Sequence, residues 1–158
     1  MHFEHLIEIN DPNNPMLTPL SVAQLWRGLI HRAESPGEFL DNLDDATITL
    51  REEGFMERQL RFGSLLVHDR IWFEPQRRVR YETTPSEQHG GGSLTMTIEQ
   101  PEPGRLFLRF VYHTPLSEQN GGNEETQFIP YIKAAYRDAD VHTVRVIREM
   151  AERGDLGM

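Results

Sequence analysis

Two segments of alternating character, Phe55 to Phe62 and Leu65 to Glu74, flank the dipeptide Gly63-Ser64. If that dipeptide is a two-residue hairpin turn, Phe62 faces Leu65, Leu60 faces Val67, Arg58 faces Asp69 and Met56 faces Ile71. Arg58 and Asp69 then share a strand face that otherwise reads Met56, Leu60, Phe62, Val67, Ile71 and Phe73. Burying an ion pair costs several kcal/mol of desolvation per ion unless both ions are well satisfied. Two roles fit such a pair. It could anchor a ligand's carboxylate, carbonyl or hydroxyl inside an apolar cavity, or it could be a structural bridge that fixes strand register.

The other reactive residue types form no recognisable catalytic set. His89-Gly90-Gly91-Gly92 has the glycine content of a lipase oxyanion loop, but no Gly-x-Ser-x-Gly elbow supplies a nucleophile and no Lys-Ser or Lys-Thr makes it a phosphate loop. It reads as a hairpin tip. The seven histidines, His2, His5, His31, His68, His89, His113 and His142, contain no His-Glu-x-x-His pair and no helical i, i+4 pair, so no metal site is expected. His5, on the apolar side of the first segment, is expected to be a satisfied interior histidine rather than a base. Trp72 is expected over Arg80 on the outer face as a cation–π pair, with a dimer contact as the alternative use of an outward Trp. The absence of cysteine excludes disulfides, thiolate zinc sites and cysteine nucleophiles.

The elements that must position these residues follow from pattern. The chain has 158 residues, 16 basic against 25 acidic side chains and a net charge of −9. That length suits one domain, and that charge repels nucleic-acid phosphates and anionic membrane surfaces. No apolar stretch has the length of a membrane span and no signal peptide opens the chain, so a cytoplasmic location is expected. His2 to Ile9 alternates as a strand, with Phe3, His5, Ile7 and Ile9 on one side. Thr18-Pro19 predicts a helix start, followed by an apolar face of Val22, Leu25, Trp26, Leu29 and Ala33. Ser35-Pro36-Gly37-Glu38 predicts a capping box and a second, very short helix through Phe39 and Leu40.

Six alternating segments follow: Ala46 to Glu53, Phe55 to Phe62, Leu65 to Glu74, Arg78 to Thr84, Ser93 to Gln100 and Arg105 to His113. Gly54, Gly63-Ser64, Pro75-Gln76-Arg77, the His89 to Gly92 run and Pro101-Glu102-Pro103-Gly104 join them into an antiparallel meander. Carrying the register across residues 75–77 sets Phe73 against Val79, Ile71 against Tyr81, Arg70 against Glu82 and Trp72 against Arg80. Thr126 to Arg153 is helical, with Phe128, Ile132, Ala139, Thr143, Val146 and Met150 in one arc flanked by Ala135, Tyr136 and Ile147, and Lys133, Arg137, Arg145, Arg148 and Glu152 opposite. Pro130 belongs in its first turn or kinks its start. Gly121-Gly122-Asn123 reads as a hinge and cap before that helix and as one lip of a pocket.

Strand, two short helices, six antiparallel strands and one long C-terminal helix is an order that resembles the helix-grip fold of the START-like (SRPBCC) superfamily. That superfamily includes the major birch-pollen allergen type and the polyketide cyclases. The segment Val67-His68-Asp69-Arg70-Ile71-Trp72-Phe73-Glu74-Pro75 and the compact Glu53-Gly54 hairpin resemble most the family named after acetylaranotin biosynthesis cluster protein L. The resemblance covers 1–158 as a single domain. It implies an α+β fold in which a strongly curved seven-stranded antiparallel sheet grips the long helix, with a cavity between them open to small apolar molecules. The plant allergens carry a glycine-rich loop between their second and third strands, where this chain has only Glu53-Gly54, so their ligand rules do not transfer.

The cavity has support from the residues as well, because Ala135, Ala139 and Thr143 are small and fall in the middle of the helix stripe. Residues expected around a ligand are Arg58, Asp69, Tyr81, Met96, Phe110 and Tyr112 from the sheet, and Ile132, Tyr136 and Ala139 from the helix. Two function classes stay open. One is a binding module for a small hydrophobic or aromatic molecule, a lipid among the candidates. The other is a polyketide cyclase or dehydratase-like enzyme using Arg58, Asp69 and Tyr81 or Tyr112. A protein-interaction domain is a third. No cofactor is implied, and catalytic residues, oligomeric state and ligand identity are not assigned by the sequence.

Overall fold

The computed structural model describes residues 1–115 and 124–156, with only the backbone of residues 124–127. Strand β1 (His2–Asn10) leads to helix α1 (Val22–Glu34) and a single 3-10 turn at Pro36–Glu38. Six strands follow: β2 (Asp45–Glu52), β3 (Phe55–Phe62), β4 (Leu65–Glu74), β5 (Arg78–Thr83), β6 (Gly92–Glu102) and β7 (Arg105–His113). Helix α2 (Glu124–Glu152) closes the fold. The seven strands form one antiparallel sheet in the order β1-β7-β6-β5-β4-β3-β2. It is the curved sheet and long helix of a helix-grip fold, in the α+β class. Register shifts in β1, β2 and β6 place the extra residues that let a sheet bend.

The hairpin register follows the turn. Gly63 takes a φ of 61°, which favours glycine, and the two-residue turn pairs Leu60 with Val67, Arg58 with Asp69 and Met56 with Ile71. The next hairpin pairs Ile71 with Tyr81, Trp72 with Arg80 and Phe73 with Val79. Inward side chains therefore form rows across the sheet. One row runs Phe73, Val79, Met96, Phe110 and His5. The next runs Met56, Ile71, Tyr81, Leu94, Tyr112 and Phe3, and beyond it come Arg58 with Asp69, then Leu60 with Val67. The Val79, Met96 and Phe110 row joins Leu25 and Leu29 of α1 and Ile147 and Met150 of α2 in the main core.

Several local expectations are corrected. Helix α1 starts at Val22 rather than Pro19, because Ser21 and Gln24 form a reciprocal capping box. The Asn10 side chain holds both the N–H and the C=O of Leu20, which keeps residues 18–20 outside the helix. Ser35 makes no side-chain cap, and its segment is a 3-10 turn whose Glu38 bonds His31 at 2.8 Å. Pro130 lies seven residues into α2, past its first turn, where its missing N–H leaves one intrahelical bond unmade. Gly121-Gly122-Asn123 lies outside the described residues.

The stripe of α2 is rotated by about one residue from expectation. Ile129, Asp140, Thr143, Val144, Ile147 and Met150 are buried, whereas Phe128 is 57 % exposed and Ala135 and Ala139 face solvent. The expected arc left out position 140 because an acid is unwelcome on a buried face. Asp140 occupies that face all the same, at 1 % exposure. On the outer surface the guanidinium over Trp72 is that of Arg70, 5.6 Å from the ring centre, while Arg80 reaches toward Glu82. None of the helices among the described residues is long and apolar enough to cross a membrane.

Candidate functional site

An open cavity of about 550 Å³ lies where the sheet rows run past the packed core. Its apolar wall is Leu60, Phe62, Leu65 and Val67 from β3 and β4, Leu94 from β6 and Leu40 after the 3-10 turn. Its polar groups are Arg32 from α1, Arg58, Asp69, Tyr81 and Thr83 from β3 to β5, Tyr112 from β7 and Tyr136 from α2. The His89 to Ser93 segment supplies a rim, in which the N–H of Gly91 donates to His89 Nδ1 at 2.9 Å and Gly91 takes a φ of 83°.

Of the residues expected around a ligand, Arg58, Asp69, Tyr81, Tyr112 and Tyr136 line this cavity. Met96 and Phe110 do not. They sit in the neighbouring row, under the helices, and are fully buried in the core. The side-chain period of two gives the face of each strand, but only the position of the helices decides which row is covered. Ala139 faces solvent and Ile132 is half-buried on the α2 stripe away from the cavity wall. Ala135 and Ala139 face solvent, so the space expected from them against the sheet is not there, while Thr143 is buried beside Arg32.

Arg58 and Asp69 form a bidentate pair at 3.0 and 2.6 Å, with 4 and 5 % exposure. Arg58 also donates to the carbonyl of Ala33 at 2.9 Å, tying the last turn of α1 to the sheet. Both Asp69 oxygens and three of the five guanidinium N–H directions are therefore occupied within the protein.

Two further residues carry the electrostatics and were missed in the sequence. Arg32 was counted on neither face of α1, yet it is buried against the cavity and its guanidinium stands 5.1 Å from the Tyr81 ring centre. Asp140 accepts a hydrogen bond from the Tyr112 hydroxyl, while its second oxygen has no partner among the described residues. Burial pushes the Asp140 carboxyl up to about 7, against the opposing pull of the Tyr112 bond and of Arg32. Burial and the neighbouring Asp140 likewise push the Tyr112 phenol up, and Tyr136 stacks on Tyr112 with ring centres 4.1 Å apart. The sequence signal for Asp140 was its place among Ile129, Ile132, Tyr136, Thr143 and Ile147 at helical spacing.

His5 is half-buried, and its Nε2 has no hydrogen-bond partner among the described residues, so it is not the satisfied interior histidine expected. Burial and the charge of Arg137 lower its pKa. Among the described residues no group of three or more His, Asp and Glu side chains converges as metal ligands.

A curved sheet wrapped on a long helix, with an open cavity at one end of the grip, defines a START-like helix-grip protein. The model of the Acetylaranotin biosynthesis cluster protein L family matches residues 7–154, and the chain belongs to that family. Among solved structures it is similar to the Zhui aromatase/cyclase from Streptomyces sp. R1128, at 15 % identity over 98 % of this chain and 94 % of that one, with a TM-score of 0.62. The di-domain aromatase/cyclase StfQ of the steffimycin biosynthetic pathway aligns at 12 % identity over 96 % of this chain and 51 % of its own, with a TM-score of 0.65. The protein Ara h 8.0201 aligns at 11 % identity over 94 and 98 %, with a TM-score of 0.58. Identities this low establish the shared fold alone. Among curated proteins none matches the sequence.

Proposed function

We propose that the protein binds a small apolar or aromatic molecule in the cavity between the sheet and α2. The observation that carries this reading is the cavity itself: about 550 Å³, within the usual range of small-molecule sites, with an apolar wall and a few convergent polar groups. Leu60, Phe62, Val67 and Leu94 would take the body of the ligand, while Arg58, Asp69, Tyr81, Tyr112 and Tyr136 surround its polar part. The test is calorimetric titration with naphthalene-2-carboxamide, a neutral flat probe, against the wild type and Leu94→Trp. Leu94 is half-buried on the cavity wall, so an indole there fills empty volume. The wild type should bind and the folded variant should not. No binding by the wild type, or undiminished binding by Leu94→Trp, overturns the reading.

One observation favours a second reading, an enzyme of the cyclase or dehydratase kind. Asp140, near 7 and bonded to a phenol that lines the cavity, is poised to hold or release a proton through Tyr112 at neutral pH. Under this reading, native mass spectrometry of protein from its own host should find a precursor heavier by one water on Asp140→Asn, and the dehydrated product on the wild type. The same retained molecule on both proteins leaves binding alone.

A further inference from the structure

Arg32 is the charge in the cavity with the least to do. Only 8 % of it is exposed. Among the described residues its guanidinium makes one hydrogen bond, from Nε to Thr143 Oγ1 at 3.4 Å, near the limit for such a bond, and it has no ion-pair partner. Its terminal N–H groups have no acceptor among those residues. Next to it, the hydroxyl of Tyr81 is buried and has no hydrogen-bond partner either. Both side chains line the cavity.

The buried Tyr81 hydroxyl left unspent runs against the rule that buried polar groups are satisfied, and beside it the terminal N–H groups of the largely buried Arg32 open onto the cavity with no acceptor among the described residues. Arg32 and Arg58 flank the Tyr81 ring at 5.1 and 5.4 Å, and Asp69 is committed to Arg58 by two hydrogen bonds. Asp140 acts on Arg32 only through space, with one oxygen held by Tyr112. The Arg32 terminal N–H groups and the Tyr81 hydroxyl therefore keep donor capacity toward the cavity.

We infer that Arg32 and Tyr81 form a carboxylate-binding subsite, so that the ligand is an organic monocarboxylate with a flat or compact apolar body. This deepens the cavity-binding reading and rests on it. The guanidinium supplies the charge and the paired N–H groups that a carboxylate accepts, and the Tyr81 hydroxyl supplies a third donor. The apolar body then lies along Leu60, Phe62, Val67 and Leu94. A phosphate monoester fits less well, because its second charge has no further free cation to meet among these groups.

The experiment compares 2-naphthoate, naphthalene-2-carboxamide and 2-naphthyl phosphate by calorimetry at neutral pH, on the wild type, Arg32→Gln and Tyr81→Phe. The wild type should prefer the acid to the amide by about tenfold to a hundredfold, the range spanned by a charge-assisted hydrogen bond. Arg32→Gln should bring that ratio near one, and Tyr81→Phe should lower it several-fold. Because the Tyr81 hydroxyl has no hydrogen-bond partner among the described residues, Tyr81→Phe is expected to keep its fold and carries the test even if Arg32→Gln does not fold. Equal binding of acid and amide by the wild type overturns the carboxylate subsite and leaves the cavity reading standing. Tighter binding of the phosphate overturns the carboxylate assignment, an unchanged preference in Tyr81→Phe and Arg32→Gln overturns the residues, and no binding of any probe overturns both readings.

Discussion

Asp140→Asn separates the charge of the buried acid from its packing. Asparagine has nearly the same shape and keeps an oxygen to accept the Tyr112 hydroxyl, but it cannot ionise. In the folded protein the carboxyl titrates near 7 rather than at its ordinary 3.8 because burial penalises the anion. Below 3.8 the acid is neutral in both folded and unfolded states, and the shift contributes nothing to the pH dependence. Between 3.8 and about 7 the folded state holds a proton that the unfolded state has lost, so stability falls as pH rises. Above 7 both states are ionised and the penalty is constant. At about 1.4 kcal/mol for each pKa step, the charged acid opposes folding by at most about 4 kcal/mol, and relaxation around it brings that to about 2 to 4. Urea unfolding of both proteins from about pH 4 to about pH 8 measures it, and subtracting one curve from the other removes the histidines and surface groups common to both. The stability difference should move toward the variant by about 2 to 4 kcal/mol over that range and then level off. Parallel curves would refute the reasoning and place the Asp140 titration back in the ordinary carboxylate range.

Breaking the Arg58 and Asp69 pair from either side leaves a buried charge alone, so Asp69→Ala and Arg58→Met should each cost about 3 to 5 kcal/mol. The double variant Arg58→Met with Asp69→Leu should recover much of this but not all, because the Ala33 carbonyl loses its donor, and a double-mutant cycle by chemical denaturation reads both effects. Gly28→Ala should destabilise by about 1 to 3 kcal/mol even though alanine is the better helix former. A Cβ there would meet Cγ2 of Ile147 at 2.6 Å and Cγ1 at 2.8 Å, on a buried β-branched side chain with little freedom to move. Thermal melts should show Gly28→Ala below the wild type, and the added change Ile147→Ala should restore part of the loss relative to Ile147→Ala alone; a neutral Gly28→Ala would mean that the two helices are not locked at that crossing.

The strand register was legible because it has a period of two and is pinned by turns. Once Gly63-Ser64 is a two-residue turn, every pair from Phe62 with Leu65 to Met56 with Ile71 follows, and a slip by one would turn all of them to the wrong face. Helices offer no such lock. Their faces are read from apolar spacing alone, so one polar residue placed inward shifts the apparent stripe, and Asp140 did this on α2. Arg32 escaped on α1 in the same way, counted on neither face of a helix whose buried side it joins. The start of α1 was misread because Thr18-Pro19 and Ser21 to Gln24 both carry start signals, and a long-range contact, the Asn10 amide on Leu20, decides between them.

These misreadings share a cause that bears on function. Met96 and Phe110 looked like cavity residues because they are large, apolar and inward, and those are the qualities that let them pack in the core instead. Arg32 and Asp140 look wrong for their positions, and the structure places both beside the cavity, one on its wall and one behind Tyr112. A sequence meets the local rules where packing alone is at stake and departs from them where a buried polar group has a further partner to meet. Of the buried charges around the cavity, Arg58 and Asp69 satisfy each other within the chain. Among the described residues Arg32 has one long hydrogen bond and no ion pair, and burial pushes the Asp140 carboxyl up to about 7. A carboxylate bound as proposed would meet the charge of Arg32, and an Asp140 pushed up to about 7 would oppose it less than an ordinary ionised acid, which ties both departures from pattern to the same corner of the cavity.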